Sequence, residues 1–125
     1  MTPIAFLVAA AVGACARYYV VDACIERFGS RFPWGTVAVN LSGSFVLGVL
    51  TGLGLYHGLG ADVRTAVGTG GMGAYTTFSA FTCDTIALVE GEHASASAAA
   101  RNVAVTIAGS IAAAGLGVAL ASLGG

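Results

Sequence analysis

The stretch Gly70–Thr82, GGMGAYTTFSAFT, lies inside a run from Thr65 to Cys83 that carries no Asp, Glu, Lys or Arg. Such a run is nearly long enough to cross a bilayer, where roughly 20 apolar residues span the hydrocarbon. Its glycines, hydroxyls and aromatics would nevertheless weaken a helix that had only to span lipid. Non-helical backbone at membrane depth is tolerated where protein, water or an ion satisfies its N–H and C=O groups. The stretch therefore reads as a broken helix. Gly68, Gly70, Gly71 and Gly73 supply permissive backbone, and Thr76 or Thr77 caps a second half-helix running to about Val89. Carbonyls freed at the end of the first half favour a cation, and N–H groups at the start of the second favour an anion.

Three further charge-free runs occupy 1–16, 32–61 and 102–125. With 57% hydrophobic residues, 9% charged and a mean hydropathy of +0.87, the 125-residue chain is expected to be an all-α integral membrane protein. Four spans use nearly all of it, as one domain over 1–125, and leave no room for a soluble catalytic unit. Four short helices are also few to enclose a path, which points to an oligomer. The N-terminus lacks a basic region and stays apolar past Arg17, so it reads as a first span over about Pro3–Val21 and not as a signal peptide. Cysteines at 15, 24 and 83 are odd in number and match no metal spacing, and no disulfide is expected. No nucleophile, acid–base pair, nucleotide loop or nucleic-acid-binding feature is apparent, so an enzyme is not expected.

Polar residues inside the spans mark candidate sites. Arg17 is costly in hydrocarbon and has to snorkel, pair or face water, with Asp22 and Glu26 within reach. The second span carries Asn40, which either bonds a neighbouring helix or lines a path, and a stripe of Ser44, Gly48 and Gly52 that admits a close helix. In the last span Asn102, Thr106 and Ser110 recur every four residues on one face, beside a ridge of Gly109, Ala113 and Gly117. Such hydroxyls often bond their own i−4 carbonyls, but three in register suit a track for a small polar solute. Phe78 and Phe81 share a face next to the break and to hydroxyls at 77 and 79. Their electropositive ring edges could line an anion's path. Loop cations number Arg64 on one side against Arg27 and Arg31 on the other, with Arg17 and Arg101 in or at the edge of spans, so orientation is weakly specified.

GACARY around Arg17, PWGTVAVNLSGSFVLG from Pro33 to Gly48, GMGAYTTFSAF from Gly71 to Phe81 and the Asn102/Thr106/Ser110 stripe together resemble the Fluc (CrcB) family of fluoride channels. The resemblance covers all four spans. It implies an antiparallel, dual-topology dimer of two identical chains, or of paired homologues, in the plasma membrane, with two fluoride pores and a central structural sodium ion. By the same resemblance the sodium would be held by the carbonyls of Gly73 and Thr76. Fluoride would pass Asn40, Phe78, Ser79, Phe81, Asn102, Thr106 and Ser110. Arg17 matches the family's membrane-embedded arginine, and Asp84 stands where a carboxylate sits at a possible pore mouth. Three positions depart from the family's common pattern: Ala80 for threonine, Asp84 for glutamate and Asn102 for tyrosine. A small proton-coupled exporter is the alternative, but it needs an intramembrane carboxylate, for which Asp84 is the one candidate. A structural membrane subunit leaves the polar track and the break without a cause.

Overall fold

A computed structural model describes residues 3–124. Its elements are α1 (Pro3–Phe28), α2 (Trp34–Tyr56), α3 (Ala61–Val63), a π-helical segment (Arg64–Met72), α4 (Gly73–Tyr75), α5 (Phe78–Glu90) and α6 (Ala96–Leu123), with no strand among the described residues. The protein is a multi-pass membrane protein: α1, α2 and α6 are each long and apolar enough to cross a bilayer. The remaining expected span is divided, and none of its helical pieces is long enough alone.

The boundaries follow local chemistry. Gly29 and Gly58 adopt φ of +78° and +70°, the left-handed conformation that stops α1 and α2. At the second stop the N–H of Leu59 reaches back to the Leu53 carbonyl at 3.1 Å. Thr77 caps α5 and Ser95 caps α6, their hydroxyls accepting from the N–H of Ala80 (3.2 Å) and Ala98 (3.1 Å). Between the two expected candidates, Thr77 is the cap of the second half-helix. Helix α1 runs one to two turns beyond the expected end at Val21.

The small-residue stripes do what their spacing implies. A Cβ at Gly48 would collide with the Ala114 carbonyl and one at Gly117 with the Phe45 carbonyl, so α2 and α6 pack backbone to backbone. The glycines of the third segment act differently from expectation. Among the described residues only Gly29 and Gly58 have positive φ, and Gly73 is helical at φ −61°, ψ −37°. The chain stays wound through Gly68–Gly73 and opens at Thr76 and Thr77, both extended. What the glycines provide is closeness: a Cβ at Gly13 would strike the Gly71 carbonyl, and one at Gly70 would crowd Phe6. Bare backbone thus lets α1 lie against the π-helical segment.

Candidate ion pathway at the helix break

Two extended residues interrupt the third segment, and Asn40 on α2 satisfies one of them. Its Nδ2 donates to the Thr77 carbonyl at 2.9 Å, and its Oδ1 accepts the Thr77 N–H at 2.8 Å. In an unbroken helix that N–H would return to the Gly73 carbonyl, which is thereby released. The Thr76 carbonyl accepts a long hydrogen bond from the Arg17 guanidinium at 3.4 Å. Arg17 is therefore neither snorkelling freely nor ion-paired but docked on the break. Backbone carbonyls are the ligand type a hard cation takes, so Gly73 and Thr76 fit sodium in kind. Two such oxygens per chain are too few alone, and Arg17 disfavours a cation on the Thr76 side.

A half-open cavity of about 340 Å³ lies on one side of the break, lined by Asn40, Thr76, Thr77, Phe78, Phe81, Thr106 and Ser110 among others. The Phe78 and Phe81 ring centroids are 5.6 Å apart with planes inclined by 51°. Phe81 is buried, whereas Phe78 is 77% exposed at the cavity's open side. Along the helices, Ser42, Thr51, Thr82 and Thr85 return their hydroxyls to the carbonyl four residues earlier. Thr106 does not: its Oγ1 is buried without a partner. The oxygen lies within the wall of the cavity that Thr106 lines, a buried hydroxyl whose bonding capacity is unspent.

Other expected site residues lie elsewhere. Ser79 belongs to a second cavity of about 610 Å³ with Arg17, Asp22, Thr36 and Asp84, its hydroxyl 3.3 Å from that of Thr77. Asp84 Oδ2 accepts from Thr36 at 2.6 Å and also borders a third cavity of about 390 Å³ with Arg31, Glu92 and His93, at the mouth formed by the 29–33 and 91–95 connections. Asn102 is fully buried, and its Nδ2 donates to Thr85 Oγ1 at 3.0 Å. The hydrogen-bonding roles of Thr36, Thr85 and Thr77's carbonyl were not foreseen from sequence. For Thr85 a local signal existed, its position four residues after Phe81.

This arrangement brings hydroxyls, an amide and ring edges to one pocket and places no nucleophile with a base beside it. The family model described as "CrcB-like protein, Camphor Resistance (CrcB)" matches residues 4–118. The chain is 46% identical over 82 residues to the "Fluoride-specific ion channel FluC" of Rhizobium meliloti (strain 1021), covering 64% of this chain and 65% of that one. It is 41% identical over 98 residues to the protein of the same name from Sorangium cellulosum (strain So ce56), covering 78% and 76%. A like-named protein of Shewanella woodyi is 40% identical over 79 residues, covering 63% and 64%. The chain thus spans a little under two thirds of the length of the Rhizobium and Shewanella relatives. These relatives are named as channels, not enzymes. With the match running from the first turn of α1 to near the end of α6, the chain belongs to the CrcB-like family.

Proposed function

We propose that the protein is a fluoride-selective passive channel that lets toxic fluoride leave the cytoplasm. The observation that carries this is the cavity lined together by Thr106, whose unpartnered hydroxyl lies buried in its wall, Ser110, Asn40 and the Phe78–Phe81 ring pair. Fluoride is small and strongly hydrated, so conduction needs donors that replace water without trapping the ion. Hydroxyls at 106 and 110 and the amide hydrogen of Asn40 not engaged by Thr77 are donors of that moderate kind. Ring edges add positive potential without a full charge. The neutral acid of fluoride crosses lipid and dissociates inside, so a passive exit needs no coupling energy.

The cavity is open on its Phe78 side, and Gly73 faces open space. In a lone protomer these groups would face lipid, which favours a second copy in the opposite orientation, or a paired homologue, covering them. Two such pathways per pair follow from the two-fold relation. A shared sodium would be held by the Gly73 and Thr76 carbonyls of both chains and would supply compensation for the released Gly73 carbonyl and for the Thr76 carbonyl, which has only the long bond from Arg17. The site's cation is structural in this proposal, and flux is not sodium-coupled.

Efflux from liposomes holding only the purified chain tests the proposal. Fluoride is expected to leave rapidly while chloride is retained, with a reversal potential indifferent to the sodium gradient. Equal passage of both anions, or no fluoride passage with or without a paired homologue, rejects it.

A further inference from the structure

Asn102 lies at a position expected to line the fluoride path, yet it is 0% exposed and borders none of the three cavities around the break. Its Nδ2 donates to Thr85 Oγ1 at 3.0 Å, and the same hydroxyl donates to the Phe81 carbonyl at 2.7 Å. The Thr85 hydroxyl is therefore engaged in both directions. Among the described residues this is the one side-chain hydrogen bond recorded between α5 and α6. It falls on the turn of α5 that begins at Phe81, the buried ring of the aromatic pair. Meanwhile Asn102 Oδ1 is buried with no partner. An amide kept in a fully buried place with half its capacity unmet contributes little net stability. What the bond does supply is direction, since a buried side-chain chain of donors and acceptors has one geometry.

We infer that Asn102 and Thr85 are a positioning pair that fixes the α5 turn carrying Phe81 against α6, and thereby sets the ring's angle in the anion pathway. The inference rests on the proposed channel function for its consequence, though not for its geometry. Neither residue touches the permeant ion; both act through Phe81. The Asn102 side chain reaches across to a polar atom of α5, the hydroxyl at 85.

The test combines three variants with two readouts. Asn102→Leu removes the donor and the orphaned acceptor together, so melting temperature is expected to stay near that of the unmodified protein. Thr85→Val is close in shape and lacks the hydroxyl; Thr85→Ser keeps it. Fluoride flux per folded molecule is expected to fall about tenfold in the first two, a barrier change of the size one misplaced group produces, and to be retained in the third. In parallel, 4-fluorophenylalanine placed at position 81 reports the ring by its fluorine resonance, without any fluoride present. That line is expected to shift in Asn102→Leu and Thr85→Val alike and to stay put in Thr85→Ser. If the unmodified chain carries no fluoride, the channel proposal falls and the resonance still decides the pairing. An unmoved line with unchanged flux in the first two variants, equal damage from Thr85→Ser, or loss of folding in both Asn102→Leu and Thr85→Val overturns the positioning pair.

Discussion

The side-chain amide of Asn40 holds both backbone groups of Thr77, one bond at 2.9 Å and one at 2.8 Å. A side chain from α2 thus replaces the partners that helical winding would have given, and the break is closed by protein instead of water. Removing the amide leaves a buried N–H and C=O together. Asn40→Leu is expected to cost about 2–6 kcal/mol, at about 1–3 for each of the two orphaned groups, and to abolish flux. Asn40→Asp keeps the acceptor for the Thr77 N–H but lacks a donor and brings negative charge to the cavity. It should unfold at an intermediate temperature and also pass no fluoride. Thermal melts alongside efflux assays check both; a stable, conducting Asn40→Leu would show the amide to be dispensable.

Phe78 and Phe81 touch each other but differ in burial, 77% against 7% exposed. Replacement by isoleucine should separate fold from function. Phe81→Ile is expected to lower stability by about 1 kcal/mol through imperfect repacking, and Phe78→Ile to leave the isolated protomer unchanged. Both should reduce fluoride flux strongly because the ring edge is lost. Unaltered flux through well-folded Phe78→Ile protein would assign that ring to lipid or partner contact.

Glycines at three places predict three outcomes. Gly13→Ala drives a methyl into the Gly71 carbonyl and is expected to cost about 1–3 kcal/mol. Gly115 faces open space on α6, so Gly115→Ala should be neutral or add up to about 1 kcal/mol from helix propensity. Gly73 is helical and equally open, so Gly73→Val should be tolerated by the protomer while weakening the proposed pair and its shared cation site. Melts of monomer in detergent against dimer yield distinguish these. A Gly73→Val chain that still pairs and conducts would remove position 73 from the interface.

Much of this was legible in the sequence because it is written locally. Charge-free runs mark the spans, four-residue stripes mark where α2 meets α6, and the hydroxyl-rich stretch after Gly73 marks the break. The π winding of Arg64–Met72 was not legible, since the glycines and apolar residues of that run do not distinguish it from ordinary α winding. Nor was the turning of Ser79 away from the Phe pair, which follows from one residue's rotation on α5. Asn102 illustrates the limit: its register with Thr106 and Ser110 on one face of α6 was legible, but its hydrogen-bond partner was not. Its actual partner, Thr85, is 17 residues away on another helix, and no periodicity encodes that.

Arg101 alters the topological balance read from the sequence. It lies in the second turn of α6 with its guanidinium 4.6 Å from the Phe32 ring centroid, so it belongs to the same face as Arg27 and Arg31. Three cations then stand there against Arg64 opposite, a firmer bias than two against one. A reporter fused to the C-terminus should accordingly appear on both membrane faces, with the excess in copies that keep the 29–33 connection in the cytoplasm. Adding two lysines beside Leu59 makes the count three against three. Orientation should move towards equal populations, and if antiparallel pairs of identical chains conduct, flux per chain should rise. Had Arg101 not counted, the same lysines would reverse the bias, and flux would not benefit in this way. Four added lysines should drive most copies one way and abolish activity, and co-expression with a chain carrying extra lysines near Ser30 should restore it. A reporter confined to one face in the unmodified protein, with undiminished flux from that chain alone, would rule out the antiparallel pair; confinement with flux dependent on a second chain would assign the partner's place to a homologue.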